Sequence, residues 1–379
     1  MKLSFLRRSR VAASDLRNRR RAFVAPGLLR TPLLVALLVA LVVSGCGSSA
    51  ATQAKRAVKK LGSTSTTTTT TKAPPVAPLT GLPDPGGVAQ TRSVVSIKID
   101  NDNSLARPQT GIEQADVVWD EVVEGEATRF LAMFQSQTPE VVGPVRSVRL
   151  TDPLIVWPVG GVFAFSGGAK YAVDGISQTP VKRIDESAAG GAMFRDSSRK
   201  APHNLYARPA DLFGLGGAPV PPPALFGYSS TPITAGVPVT SVHIAFSNRE
   251  FAPTYAWDGG SSTWLRSTSA GPFMTKSGKQ IAPTNVIVLP AAYANGVGKV
   301  GAEAQLVGQG AVKIFTNGHE VDGTWSRADK AQRIEFKDAA GKPILLTPGS
   351  TWVELPDVSY PIEVVPVAPA PAAAPAVKP

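Results

Sequence analysis

The sequence has 379 residues, is 43% hydrophobic and carries a formal net charge of +11, with a single cysteine. Residues 1–45 hold nine Lys/Arg against one Asp, and 46–72 add five more with no acid, so in 73–379 25 basic residues face 27 acidic ones, a net of −2. The part long enough to fold is almost neutral, which excludes a phosphate-tracking basic surface and nucleic-acid binding; one cysteine excludes disulfides.

Residues 1–45 read as a signal peptide. A basic leader with Arg7, Arg8, Arg10, Arg17 and Arg19-Arg20-Arg21 precedes the apolar run PLLVALLVALVV at 32–43. Its length suits a signal-peptide core and falls short of the roughly 20 residues that span a bilayer. The run ends at Val43-Ser44-Gly45-Cys46, which resembles a bacterial lipobox. The resemblance implies cleavage before Cys46, a thioether-linked diacylglycerol on its sulfur, and acylation or a free amine at its nitrogen. Two acyl chains then hold the protein stably on the outer face of the cytoplasmic membrane. RRRAFV at 19–24 also resembles a twin-arginine export signal, and the choice between that route and the general one stays open. With Cys46 consumed, no thiolate remains for a thiol protease or a cysteine transpeptidase.

After Cys46, residues 46–78 form a tether, basic at first and then Thr/Ser- and Pro-rich in GSTSTTTTTTKAPPVAP. Residues 79–215 form a first domain, expected to be α+β with a mostly antiparallel sheet. SVVSIKI at 93–99 is a strand. DVVWDEVV and TRFLAMFQ make a hairpin around Glu124-Gly125-Glu126, with Gly125 at positive φ. RSVRLTDPLIVW reads as a helix or bent helical segment interrupted near Pro153. GVFAFSGG at 161–168 is a strand, and a short helix follows at about 169–178. Pro-rich residues 216–234 are a linker. The second domain, 235–356, is β-rich, with short runs TSVHIAF, TWLRST, TNVIVL, AVKIFT, QRIEFKD and STWVEL between Gly, Pro and Asn turns. An Ala/Pro-rich tail, 357–379, closes the sequence.

Familiar catalytic signatures are missing. His203, His243 and His319 form no metal-ligand spacing. Ser166 precedes two glycines but lacks the G-x-S-x-G elbow. GLGGAP is followed by prolines instead of a helix, so no dinucleotide fingerprint exists. No metal or cofactor is expected.

What stands out is polar density in the first domain. KIDNDNSLARPQTG at 98–111 supplies Asp100, Asn101 and Arg107; the hairpin supplies Glu121, Glu124 and Arg129. GPVRSVR supplies Arg146 and Arg149, and RKAPHNLYARP at 199–209 supplies His203 and Asn204. On a helix, Arg146 and Arg149 would share one face and make a receiver for carboxylate or phosphate. The expected arrangement sets hairpin and arginine segment across a groove, with Glu121 and Glu124 orienting Arg129, Arg146 or Arg149 and His203-Asn204 closing one side. A purely structural ion network among the same groups is the competing reading, and the sequence leaves both open.

These stretches, with PLTGL at 78–82 and VGPVRSVR, resemble the YerB-like bacterial lipoproteins, and the second domain does so through NVIVL, GQGAVKIFTNGHEVDGTW and PGSTWVEL. The resemblance spans about 78–356. It implies a lipid-anchored envelope protein with an α+β first domain and a β-rich second one, and it implies no reaction, because none is attached to the family.

Function is then a choice among three classes. The leading one is a non-catalytic binding or accessory module for an anionic wall component, such as a peptidoglycan stem peptide, or for an envelope partner. The others are a hydrolase or transferase acting on wall polymers, and a structural scaffold. An enzyme would hold a carboxylate apart from its cations with a raised pKa; a binding module would leave arginines exposed in a cleft.

Overall fold

A computed structural model describes residues 75–246, 250 and 252–368. The signal peptide, Cys46, nearly all of the tether and residues 369–379 of the Ala/Pro tail lie outside the described residues; the start of the expected tail is corrected, because Ile362–Pro366 forms a strand paired antiparallel with Val237–Ile244.

Three strands form the centre: β1 (Val95–Asn101), β2 (Val117–Val122) and β3 (Thr128–Phe134), each buried at every residue. Both β1 and β2 pair antiparallel with β3, placing Leu131 opposite Lys98 on one side and Trp119 on the other. The β2–β3 hairpin turns at Gly125, whose φ is 72°, as expected for a residue without a Cβ. β4 (Val162–Phe165) then adds parallel to β1, and β5 (Lys182–Asp185) parallel to β4.

On the other flank, Thr351–Leu355 from the second half joins parallel to β2, with Trp352 opposite Val118 and Glu354 opposite Asp120. The sheet continues through Asn285–Val288, Gly308–Thr316, His319–Arg327 and Val237–Ile244. The chain is α+β and strand-dominated, and its two halves share one mixed sheet. The mostly antiparallel sheet expected of the first half is met in part: β3 pairs antiparallel with β1 and β2, while β1–β4 and β4–β5 are parallel, so the sheet is mixed. Covered on both faces, these strands read as near-continuous apolar runs instead of alternating ones. All six expected second-half runs contain strands. His319–Arg327 escaped sequence reading because its mid-strand Asp322 and Gly323 are residue types depleted in strands.

Helices are short: α1 (Val88–Thr91), α2 (Asp152–Val156), α3 (Lys170–Ile176) and α4 (Pro209–Leu215). α3 lies where a helix was expected. Residues 142–149 do not form one, which corrects the helical reading of the arginine segment. They run extended, wedged between β1 and the end of β4: Arg146 N donates to Lys98 O at 2.9 Å and Ser166 N to Arg146 O at 2.9 Å. Helix starts only at Asp152-Pro153, where proline at the first turn is tolerated. In the Pro-rich 216–234, Leu225 and Phe226 are buried and Ser229 N donates to Leu346 O at 2.9 Å.

A single apolar cluster spans both halves. Phe130 of β3 packs edge-on against Trp352 and Phe273, with ring centroids 5.3 and 5.9 Å apart. β1, β2, β4, β5 and Thr351–Leu355 all point the same way, so their carboxyl ends line one edge of the sheet. Open sheets of this kind bind ligands outside such ends.

Candidate functional site

The site grows from a conflict in β2. Its sequence VVWDEV places Asp120 and Glu121 side by side in a strand buried on both faces, so each acid projects into a different interior. Each finds a cation there. Asp120 meets Arg266 Nη2 at 2.9 Å, and Glu121 meets Lys98 Nζ, all four side chains being fully buried.

On the Glu121 face, Lys98 Nζ also lies 2.7 Å from Asp152 Oδ1. Asp152 Oδ2 accepts from Arg149 N at 2.6 Å. Burial and the neighbouring Asp152 push the Glu121 carboxyl up to about 7, against the pull of Lys98.

Nearer the sheet edge, on the same face, stand Asp100 and Arg129, directly opposite in register. Asp100 Oδ2 is 2.6 Å from His203 Nδ1 and 3.1 Å from Arg146 Nε. The Arg146 contact has ion-pair distance without hydrogen-bond alignment, and Arg146 also reaches Asp102 at 3.4 Å. Arg149 Nε meets Glu124 of the hairpin tip at 2.5 Å. Arg129 differs from both. Only 6% exposed, it donates from Nη1 to Ser147 O at 3.2 Å, its Nε has no partner, and no carboxylate lies within ion-pair distance among the described residues. Burial, with Arg149 and Arg146 beside it, pushes Arg129 down to about 10. In front of Ser147 opens a cavity of about 290 Å³ lined also by Glu124, Arg149, Gly168 and Tyr171.

Asp100, Glu124, Arg129, Arg146, Arg149 and His203 therefore come together, with Glu121 behind them. Three expected members stand elsewhere. Asn101 projects to the opposite face, bonding Thr128 Oγ1 at 2.7 Å, and Arg107 follows it there, donating to Asn101 Oδ1 at 3.2 Å. Asn204 accepts from Arg195 at 2.8 Å and braces its own loop. Glu121 does not orient an arginine as expected; strand alternation aims it at Lys98. Cys46 lies outside the described residues.

Sequence reading missed Lys98, Asp102 and Asp152 on this face and Asp120, Arg266, Tyr255 and Glu354 on the other. The acidic pair inside the apolar run VVWDEV was the available signal. His203 makes no hydrogen bond to a serine, and no group of three or more His, Cys, Asp or Glu placed to hold a metal occurs among the described residues.

Comparison with known proteins gives consistent matches. The protein of unknown function (DUF3048) N-terminal domain matches residues 79–215, and the corresponding C-terminal domain 242–353. The Bacillus subtilis (strain 168) protein named "Putative lipoprotein YerB" is 29% identical over 296 residues, covering 74% of this chain and 86% of its own length. The crystal structure of YerB protein from Bacillus subtilis superposes with a TM-score of 0.66 at 25% identity, over 76% of this chain and 99% of that one.

Proposed function

The chain belongs to the DUF3048 family, whose function is unknown, and on that premise we propose that it is a lipid-anchored envelope protein that binds a carboxylate-bearing ligand. The similarity to a protein named as a lipoprotein supports the anchor, together with the lipobox at Cys46. No helix among the described residues is long and apolar enough to cross a membrane.

The observation that carries the binding role is Arg129, a buried guanidinium with no carboxylate partner between two further arginines. Asp100 and Glu124 attract it only from beyond ion-pair distance; a buried charge without a direct counter-ion is unfavourable, and an anion entering beside Ser147 relieves that state. Arg149, on the cavity wall, supplies a planar donor fork suited to a carboxylate. Glu124 occupies part of that fork and yields to a better-placed anion. The wall component we favour is a peptidoglycan stem peptide, whose free carboxylates match this chemistry.

The Asp100–His203 hydrogen bond supports a second reading, a hydrolase acting on wall polymers. Asp100 holds Nδ1 and leaves Nε2 as the basic position.

Calorimetric titration with stem peptides and with their fully amidated counterparts tests the binding role. Carboxylate-dependent binding that is lost in Arg149→Ala, with the melting temperature nearly unchanged, is expected. A wild type that ignores both forms refutes the proposal, and hydrolysis of the added fragment supports the second reading.

A further inference from the structure

Lys98, Glu121 and Asp152 come from the middle of β1, the end of β2 and the start of α2, and all three are fully buried. As an ion triad they are an expensive arrangement: one ammonium and two carboxyls withdrawn from water, with Glu121 Oε2 lacking any hydrogen-bond partner. Leu131 and Trp119 share their face of the sheet. The geometry has another use.

We propose that Lys98 and Asp152 are joined in the folded protein by an isopeptide bond, formed with Glu121 as proton carrier. Lys98 Nζ is 2.7 Å from Asp152 Oδ1, so amine and carboxyl carbon are already adjacent. Arg149 N donates to the other carboxyl oxygen, Oδ2, at 2.6 Å, and this is where negative charge gathers when nitrogen adds to the carbon. Glu121 hydrogen-bonds Nζ from the third side.

The step balances without an outside reagent. Proton transfer from the Lys98 ammonium to Asp152 leaves an amine and a carboxylic acid. The nitrogen lone pair attacks Cγ, forming the C–N bond and a tetrahedral centre. Glu121, protonated, gives its proton to the departing hydroxyl and takes one from the nitrogen. Water leaves, the amide remains, and Glu121 ends as it began. Burial and Asp152 hold the Glu121 carboxyl at about 7, which keeps that proton available near neutrality.

The product removes both buried charges, the Lys98 ammonium and the Asp152 carboxylate, and closes a covalent loop from β1 to α2. Loop closure restricts the unfolded chain, as a disulfide does. With Cys46 the sole cysteine, no disulfide can serve this purpose; an amide needs no oxidant.

Tryptic digestion of the full-length protein followed by mass spectrometry decides the matter. The expected product is peptide 93–129 linked to peptide 150–170, lighter than their sum by one water and uncut after Lys98. Glu121→Gln and Lys98→Arg, each shown by circular dichroism to be folded, are expected to lose the linked pair. Recovery of free 93–98 and linear 150–170 as the wild-type products overturns the bond. A linked pair that survives in Glu121→Gln overturns the role given to Glu121.

Discussion

Asp120 and Glu354 stand opposite each other on neighbouring parallel strands, both fully buried, and Arg266 serves both. Arg266 Nη2 donates to Asp120 Oδ2 at 2.9 Å, and its Nε to Tyr255 Oη at 3.1 Å. Tyr255 in turn donates to Glu354 Oε1 at 2.5 Å. The guanidinium sits over the Phe273 and Trp352 rings at 4.5 and 5.1 Å. Asp120 lies in the first half of the chain and Arg266 and Glu354 in the second, so this cluster pins together two halves that share a sheet.

Removing the pin's cation should be severe. Arg266→Met takes from Asp120 and Glu354 the one cation in direct contact with them, leaving Asp120 only the more distant Arg107, and breaking such a pair costs roughly 3–5 kcal/mol. Urea denaturation is the measurement. A loss under about 1 kcal/mol would mean that the aromatic cage, not the charge, holds this region.

Stability should fall as pH rises from about 4.5 to about 8. Burial, with Asp120 beside it, pushes Glu354 up to about 8, and Glu121 stands at about 7, against an ordinary value of 4.5 for both. A carboxyl whose folded pKa is raised binds more protons folded than unfolded, so its contribution is fully present below pH 4.5. It is lost as pH climbs through about 7 for Glu121 and about 8 for Glu354. Thermal melts from pH 5 to 9 should decline, and Glu354→Gln should flatten the upper part of the decline. A melting temperature that rises over this window contradicts the assignment.

The turn entering β4 requires glycine. Gly161 has φ +76°, and a Cβ there would meet Val94 O at 2.2 Å. Gly161→Ala should therefore destabilise by about 1–3 kcal/mol from the backbone conformation, with the clash adding to it. Gly125, with nothing within 4 Å of a Cβ, carries the conformational part alone. Equal melting temperatures for the two alanine variants would show that the Val94 contact relaxes freely.

Much of the scaffold was legible because apolar runs such as TRFLAMF are set off by glycine and acidic turns, here Glu124-Gly125-Glu126. The arginine segment was not. Nothing local tells 145–149 to stay extended; the Arg146 N–H finds its acceptor at Lys98 O, a tertiary partner that no spacing reveals. Lys98 itself was passed over because a lysine in a strand ordinarily marks the solvent face, and only the acids it meets, 23 and 54 residues later, reverse that reading. Glu124–Arg149 and Asp100–Arg146 came from segments flagged in sequence, but Asn101 and Arg107 fell on the far face through simple strand alternation.

Arg129 offers the sharpest separation of binding from bracing. Had it been a structural brace, its removal would orphan a buried carboxylate, and 3–5 kcal/mol of stability would go with it. Asp100, its register partner, already has His203 and Arg146, and Arg129 itself bonds only a backbone carbonyl. Methionine fills similar space without charge or an unpaired N–H. Arg129→Met should therefore leave ligand-free stability within about 1 kcal/mol of wild type, or raise it, since replacing buried ions with packed apolar groups is often neutral or stabilising. The same variant should bind stem peptide at least tenfold more weakly, about 1.4 kcal/mol. Paired melting and calorimetry on one preparation read both quantities. A variant that loses 3 kcal/mol or more would identify Arg129 as a brace and remove the counter-ion argument for this site.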